Sequence, residues 1–262
     1  MNLNDFIECF EDSTDVGYLQ DHYPRLWLTK EFAYQRWAWE KADILDIGAH
    51  WLHQSVFFAL DGHHVTAADL PITLEDPAVK ALASKYEIDL LVYEDLSSEK
   101  VFDELDDDSM DVILFCEILE YITFNPVAMW KALYRVLRPG GRIILTMPNF
   151  YCGGSLFPAI FRFLSGGGSG ISVSDILNKN TYAPHWKEYS KKELRRYFEL
   201  LSADFVLNNQ RYLPDSLGLV RLNWKGKLLY DKRNILPVFR KGIYAEIDLL
   251  RKNAGFTINP DW

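Results

Sequence analysis

The chain has 262 residues, a mass of 30.4 kDa and a hydrophobic content of 48%, which suits one large globular domain or a domain with a sizeable insertion. Its formal net charge of −9 and pI near 5.2 argue against nucleic acid as a partner, because phosphate neutralisation requires a clustered excess of Lys and Arg.

Cysteine usage and the first residues indicate a reducing compartment. Cys9, Cys116 and Cys152 are too few and too scattered for a disulfide framework or a zinc site. The opening MNLNDFIECFEDSTD is acidic where a signal peptide needs positive charge, and no apolar run is long enough to span a bilayer. We therefore expect a cytoplasmic protein without a metal site.

Residues 1–41 form an N-terminal arm, in which Lys30 to Lys41 has helical length. The stretch YLQDHYPRLW is rich in large rings, and two interpretations stay open. The rings cover the edge of a sheet, as buried aromatics commonly do. Alternatively, the arm closes over a ligand and contributes Tyr18, Tyr23 or Trp27 to a substrate pocket.

Residues 42–71 have the pattern of a strand, a helix and a second strand. The strands are expected at Asp43–Ile47 and His64–Ala68, and the helix between them at Trp51–Leu60. Asp46 lies in the first strand and Asp69 follows the second, 23 positions later. This is close to the spacing of about 20 at which a βαβ unit places a carboxylate on a ribose.

The segments ILDIGAHWL and LDGHHVTAADLP resemble the cofactor site of class I S-adenosylmethionine-dependent methyltransferases. Asp46 would repel the pyrophosphate of a dinucleotide, whereas S-adenosylmethionine has no phosphate and carries an ammonium and a sulfonium group. The family's second and third glycines are replaced by His50 and Leu52. If position 50 requires positive φ, its side chain costs roughly 1 to 2 kcal/mol.

The alternation of helices and strands continues to residue 149. Helices are expected at Leu74–Tyr86 and Phe124–Leu137, strands at Ile88–Tyr93 and Met110–Cys116, and an acidic loop or frayed helix at Glu99–Asp108. The segments CEILEYI and LRPGGRIILTMPN match further family motifs, the second leading into a fifth strand. We expect Arg138 to Gly141 to break the helix and turn the chain.

Short βα units predict an α/β fold, a Rossmann-like doubly wound, seven-stranded and mostly parallel sheet with helices on both faces. Ligands of such sheets bind at the carboxyl ends of the strands, which gathers distant acidic residues on one rim. By the resemblance, Asp95 takes the adenine amine and Leu96 its ring face. The cofactor-binding residues are predicted to be Asp46, Gly48, Ala49, His50, Asp69, Leu70, Asp95, Leu96, Cys116 and Glu117.

Residues 150–190 exceed what a connection after the fifth strand needs, and we interpret them as a substrate lid. SGGGSG is interpreted as a hinge, since it lacks the strand and the Lys-Ser/Thr of a phosphate loop. SLFPAIFRFL has one basic residue, Arg162, so membrane contact is disfavoured. An amphipathic helix is expected at Lys191–Leu201.

The remaining chain completes the sheet. ADFVLNN is the sixth strand, Leu219–Tyr230 a helix and GIYAEIDLLRK the seventh strand, with an antiparallel end to the sheet implied by the resemblance. The predicted division is an arm at 1–41, a cofactor-binding core at 42–149, the lid at 150–190 and the rest of the core sheet at 191–262.

The predicted function is methyl transfer from S-adenosylmethionine to a small molecule, with the hydroxyl of a sugar or nucleotide-sugar as the suggested acceptor by family analogy. Such an acceptor needs a base, and His185 is the histidine in the lid, with Glu120 and Tyr121 as the other catalytic candidates. His185 could instead fix the lid structurally. The alternatives for the whole chain are a non-catalytic methyltransferase-fold subunit or scaffold, and a nicotinamide-dependent oxidoreductase.

Overall fold

The computed structural model describes residues 3–10, 16–98, 100–165, 171, 173–179, 185–213, 238 and 240–258. Within these residues the chain forms one seven-stranded sheet in the order β3-β2-β1-β4-β5-β7-β6. The strands are β1 Asp43–Ile47, β2 His64–Asp69, β3 Asp89–Val92, β4 Met110–Cys116, β5 Leu137–Pro148, β6 Phe205–Leu213 and β7 Gly242–Leu249.

Parallel pairing joins the first five strands, while β7 runs antiparallel to both β5 and β6. This confirms the predicted Rossmann-like fold class and its antiparallel end. The helices of the described segments are α1 Leu3–Glu8, α2 Val16–Tyr34, α3 His53–Ala59, α4 Pro71–Leu74, α5 Pro77–Lys85, α6 Val127–Val136, α7 Gly153–Leu164, α8 Val173–Asn178 and α9 Lys191–Leu201, with a 3₁₀ turn at Leu119–Tyr121.

The sheet separates two hydrophobic cores because successive side chains of a strand point to opposite faces. In β1, Leu45 belongs to the core that α6 and α9 cover, and Ile44 belongs to the core that α1, α2, α3 and α5 cover. Helices therefore cover both faces of the sheet. The carboxyl ends of β1 to β4 are left along one rim.

Two predicted helices differ from the observed ones for local reasons. The expected helix over residues 74–86 is divided into α4 and α5, because Pro77 starts a new helix and the Asp76 side chain accepts a hydrogen bond from the Ala78 N–H. The helix expected over residues 30–41 is wrong beyond Tyr34, where α2 ends. The expected turn after Arg138 is also different, since β5 begins at Leu137 and contains an irregularity in its pairing with β4.

Aromatic residues fix the arm to α3. The rings of Phe6 and Phe57 stack with centroids 3.7 Å apart, and Tyr23 and Trp27 also contact Phe57. Tyr23 is buried. Tyr23 and Trp27 therefore pack on a helix, as rings that cover the core do, whereas Tyr18 lies elsewhere and contacts His50 and His53.

Residues after β5 form α7 and α8, and an isolated bridge pairs Asn149 with Tyr189. The α7 helix exposes large apolar side chains, among them Phe161 and Phe163. The predicted hinge residues 166–170 and the predicted helix at 219–230 lie outside the described residues. No helix that the structure describes has both the length and the apolar character needed to cross a membrane.

A buried network of charges joins the arm to the antiparallel end of the sheet. Arg142 on β5 lies 2.8 Å from Glu246 and 2.8 Å from Asp248 on β7. Arg36, just after α2, pairs with the same two carboxylates at 3.0 and 2.9 Å. The guanidinium of Arg142 also lies over the ring of Trp39. Two buried carboxylates thus pair with two guanidinium groups. Removal of either guanidinium would leave buried negative charge without full compensation.

Replacing Arg142 should strongly destabilise the protein. We expect Arg142→Met to lower the free energy of unfolding by about 3 kcal/mol, because two buried carboxylates keep only one cation. Lys179→Met is the control, since Lys179 forms an exposed pair with Asp175 and should cost less than about 1 kcal/mol. Urea unfolding at pH 7 measures both. Equal losses in the two variants would contradict a special role of the buried network.

Candidate active site

The loop between β1 and α3 has the backbone of a glycine-rich loop although only the first of its three glycines is present. Positive φ angles occur at every second position, 69° at Gly48, 49° at His50 and 61° at Leu52. A side chain on Gly48 would bring its Cβ within 2.1 Å of Ile118. Left-handed φ costs a residue with a side chain about 1 to 2 kcal/mol, so His50 and Leu52 hold a strained but complete turn.

Asp69 at the end of β2 holds this loop. One of its carboxylate oxygens accepts a hydrogen bond from the backbone N–H of His50 at 2.7 Å, and the other accepts one from Leu70 at 2.7 Å. Behind them, the N–H groups of Gly48 and Ala49 donate to the Ala68 carbonyl. Burial raises the pKa of Asp69, although its two N–H donors act to lower it.

Asp46 lies near the end of β1 and is buried. The carboxyl is buried and accepts a 2.6 Å hydrogen bond from the hydroxyl of Ser55 on α3. Burial, with a smaller contribution from the negative charge of Asp69, raises the pKa of Asp46 to about 7, although the hydrogen bond from Ser55 acts to lower it. A direct contact between Asp46 and a ligand stays a prediction, and Ser55 is a partner that the sequence pattern did not suggest.

The ends of β3 and β4 place the other predicted cofactor residues. The exposed Asp95 accepts hydrogen bonds from the backbone and hydroxyl of Ser97 at 2.7 and 2.6 Å, which lower its pKa, while Leu96 is partly buried against the core. Cys116 ends β4, and burial raises the pKa of its thiol. The roles of these residues toward adenine or cofactor stay predictions.

Glu117 follows β4 with a φ of 59° and meets a residue that sequence reasoning missed. Arg25 of α2 lies 3.3 Å from Glu117 and donates a 3.2 Å hydrogen bond to the hydroxyl of Tyr18. The Tyr18 ring lies 5.1 Å from that of His50. The arm therefore reaches the rim through Tyr18 and Arg25. Only tertiary packing reveals this, since nothing in the sequence distinguishes Arg25 from other helical arginines.

Glu120 is the least satisfied carboxyl at the rim. It is 0% exposed, and neither carboxylate oxygen has a hydrogen-bond partner among the described residues. Burial raises its pKa well above the usual range, and the charge of Glu117 adds to this. Its backbone carbonyl accepts a 2.7 Å hydrogen bond from the Trp186 N–H, which ties residues 185–189 to the 3₁₀ turn after β4.

The three predicted catalytic residues come together in space although 64 positions separate Tyr121 from His185. The Nε2 atom of His185 lies 3.1 Å from the Tyr121 hydroxyl, and its Nδ1 atom lies 3.1 Å from Glu188. Burial, followed by Glu120 and Glu117, raises the pKa of Tyr121 to about 12. Tyr121, His185 and Glu188 thus form a hydrogen-bonded series of side chains beside Glu120, at the same rim as the loop.

Comparison with known proteins agrees with this geometry. Residues 45–145 match a family described as a methyltransferase domain. A relative from Xanthomonas oryzae pv. oryzae, named ubiquinone biosynthesis O-methyltransferase, is 28% identical over 195 residues, which are 73% of this chain and 72% of the relative.

Solved structures share the fold. One is a chain from the complex between the Haloferax volcanii Trm112 methyltransferase activator and a methyltransferase, with a TM-score of 0.59, 16% identity and coverage of 94% of this chain and 98% of that one. Another is the Burkholderia thailandensis 1,6-didemethyltoxoflavin-N1-methyltransferase with bound S-adenosylhomocysteine, with a TM-score of 0.55, 18% identity and coverage of 95% and 87%.

The strand order is that of the class I methyltransferase fold. Residues 45–145 and the Xanthomonas relative indicate methyl transfer, with S-adenosylmethionine as the cofactor. The rim fits this cofactor, because buried acidic groups suit a cationic ligand without phosphates. These findings support the methyltransferase hypothesis over the nicotinamide-dependent one.

Replacing His50 by glycine tests whether its side chain is merely strained. We expect His50→Gly to keep or improve the affinity for S-adenosylhomocysteine, because the backbone N–H that Asp69 accepts is retained and glycine adopts positive φ freely. Glu87→Gly is the matched control, since Glu87 is exposed with a φ of 53° away from the rim and should leave affinity unchanged. Isothermal titration calorimetry measures the affinity of both variants for S-adenosylhomocysteine. A large loss with His50→Gly alone would make the imidazole a ligand contact.

Asp46 should make stability depend on pH. Its folded pKa lies near 7 and its ordinary value near 3.8, so the protonated folded form is favoured and stability is lost as the pH rises from about 4 through 7. Asn has no such charge, and Asp46→Asn should be more stable than the wild type at pH 8 by up to about 4 kcal/mol, with little difference at pH 4.

Urea unfolding at both pH values measures this difference. Asp103→Asn, at an exposed carboxylate, is the control and should change stability by less than about 0.5 kcal/mol. A difference between Asp46→Asn and the wild type that is the same at both pH values would contradict the raised pKa.

Proposed function

We propose that the protein transfers the methyl group of S-adenosylmethionine to a hydroxyl oxygen of a small molecule. The chain formed by Tyr121, His185 and Glu188 carries this proposal, because a hydroxyl becomes a good nucleophile only when a base removes its proton. The new C–O bond forms as the bond from the methyl carbon to sulfur breaks, and the proton passes to the base. The name of the Xanthomonas relative supports an oxygen acceptor.

The order of proton donors follows from the two contacts of His185. Glu188 only accepts hydrogen bonds when ionised, so the Nδ1–H of His185 donates to it, and Nε2 is left to accept from the Tyr121 hydroxyl. The carboxylate then fixes the tautomer and orientation of the imidazole. A substrate hydroxyl that donates to the Tyr121 oxygen can lose its proton as Tyr121 passes its own to Nε2.

The charged residues at the rim restrict the chemical class of the methyl acceptor. Glu117 and Glu120 act electrostatically on Tyr121, and Glu117 and Glu188 act on Glu120, with Arg25 as the opposing positive charge at both. The ionised carboxylates Glu117 and Glu188 disfavour phosphate groups near the reacting oxygen. Of the predicted acceptors we therefore favour a sugar hydroxyl without a neighbouring phosphate over a nucleotide-sugar. The protein is proposed to act in the cytoplasm.

Within this function, the predicted cofactor residues keep their proposed roles. Asp69 would bind the ribose, exchanging or sharing the amide hydrogen bonds it now accepts. Asp95 and Leu96 would bind adenine. Gly48, Ala49, His50, Leu70, Cys116 and Glu117 would line the path of the methionine part. When bound, the cofactor supplies the electrophilic methyl group, and the chain's residues orient the acceptor and take its proton.

Removing the imidazole should separate binding from turnover. We expect His185→Ala to keep cofactor affinity and to lose about 10²- to 10⁴-fold in kcat, with partial recovery at high pH, where the acceptor ionises without help. Tyr121→Phe and Glu188→Gln should show smaller losses in the same direction. Activity is measured on a panel of sugars, nucleotide-sugars and phenols, since the acceptor is identified by turnover.

His64→Ala is the matched control, because His64 also contacts two carboxylates but lies at the opposite ends of the strands, between Asp43 and Asp89. It should keep full activity. Unchanged kcat in His185→Ala with intact cofactor binding would reduce His185 to a residue that fixes the lid. If the enzyme methylated a nitrogen atom of a panel compound and no hydroxyl of any compound, the proposed acceptor would be wrong.

A further inference from the structure

Glu120 is a buried acid whose carboxyl group the fold leaves without a partner. Its side chain is buried, and neither Oε1 nor Oε2 has a hydrogen-bond partner in the part of the chain that the structure describes. By contrast, the buried carboxyls of Asp46 and Asp69 both accept hydrogen bonds. A carboxyl buried in this way is costly unless a ligand compensates for it, so its position calls for a functional explanation.

The Glu120 carboxyl lies between the end of β4 and residues 185–189. Burial is the main cause of its raised pKa, and the charges of Glu117 and Glu188 contribute to it, so a residue on each side lies near the carboxyl. The segment 185–189 donates a 2.7 Å backbone hydrogen bond to the Glu120 carbonyl oxygen. An acceptor hydroxyl that reaches Tyr121, the next residue of the same 3₁₀ turn, therefore comes close to this carboxyl.

The charges around Glu120 are complementary to a cation. Glu117 is compensated by Arg25 at 3.3 Å, whereas the described residues place no cation within hydrogen-bond distance of the Glu120 carboxyl. Glu188 lies 3.1 Å from His185, which is neutral in the proposed relay. The side chains of Glu117 and Glu188 are 22% and 17% exposed, so a ligand from solvent reaches the acids on both sides of Glu120.

We propose that the methyl acceptor carries a protonated amine close to its reacting hydroxyl, and that Glu120 binds this ammonium group. The ammonium donates hydrogen bonds to the two oxygens that the protein leaves without a partner, and the nearby charge of Glu188 strengthens the contact. The reacting hydroxyl then lies at Tyr121. Amino sugars and other small amino alcohols have this pair of groups. The inference rests on the proposed hydroxyl acceptor and adds the charge that distinguishes it from other hydroxyl compounds.

Binding of such an acceptor should release a proton. Burial favours the neutral form of Glu120, whereas an ammonium beside it favours the ionised form, so the carboxyl proton passes to the buffer and the amine keeps its own. The charged and titratable groups that act on Glu120 are Glu117, Arg25 and Glu188, and Glu120 in turn acts on Tyr121 and Tyr189. Proton release therefore needs a variant that assigns it to Glu120.

Matched pairs of compounds test the proposal by isothermal titration calorimetry. The pairs are glucosamine with glucose, galactosamine with galactose, and 2-(aminomethyl)phenol with 2-ethylphenol. Each compound is titrated into protein saturated with S-adenosylhomocysteine, slightly below neutral pH, in two buffers that differ in ionisation enthalpy. In at least one pair we expect the amine to bind about 10- to 100-fold more tightly than its neutral partner and to release up to about one proton. Absence of a preference for the amine in every pair, including absence of binding, would overturn the proposal.

Glu120→Gln assigns the preference and the proton to this carboxyl. The amide keeps the shape and a hydrogen-bond donor but not the charge, so the preference for the amine should fall by about 10- to 100-fold and proton release should be lost. Glu120→Asp, which keeps the charge on a shorter side chain, should retain part of the preference. Glu199→Gln, at an exposed acid of α9, is the control and should keep all of it. Thermal unfolding shows that each variant is folded.

Two results with Glu120→Gln would contradict the ammonium site. Unchanged affinity for both members of a pair would make Glu120 a neutral hydrogen-bond donor, and an equal loss for both would make its role structural.

Binding and turnover separate this inference from the proposed function. If amines bound with release of a proton while no hydroxyl was methylated, the hydroxyl acceptor would be wrong and the ammonium site would stand. If neutral hydroxyl compounds were methylated and bound as tightly as their amine partners, the hydroxyl acceptor would stand and the ammonium site would be wrong.

Discussion

The hydrogen bond from the His50 N–H to the Asp69 carboxylate is the contact on which the cofactor rim depends. It joins the loop after β1 to the end of β2, and it forms only because His50 adopts a left-handed conformation that its side chain disfavours. Without this clamp, the strain at His50 and Leu52 would be released by opening the loop. The rim therefore keeps the shape of a glycine-rich loop because a buried carboxylate compensates for missing glycines.

Burial destabilises the ionised form of the carboxyl groups at this rim, and hydrogen bonds compensate for this to a different extent in each group. Asp69 receives two amide hydrogen bonds, Asp46 receives one hydroxyl and has a raised pKa, and Glu120 receives none that the described residues supply. Acids with raised pKa values at the ends of parallel strands are expected where a cationic ligand binds, since its charge would favour their ionised forms. Stability and function thus oppose each other at this rim.

Sequence reasoning located the sheet well because buried parallel strands are short apolar runs with polar ends. Met110–Cys116 and the helix at Lys191–Leu201 have the predicted bounds, and the rim followed from topology alone. The arm was poorly predicted, since α2 contains Pro24 in its interior and ends at Tyr34, before the expected helix would end. Arg25 could not be found at all, because its importance lies in where α2 packs and not in any local pattern.

His185 was selected by elimination among the histidines, and its position depends on backbone contacts that no side-chain pattern encodes. The Trp186 N–H donates to the Glu120 carbonyl, and Tyr189 bridges to Asn149 at the end of β5. Both contacts anchor residues 185–189 to the ends of central strands, so the imidazole is held at the rim by the fold itself. Main-chain hydrogen bonds thus set the position of the proposed base.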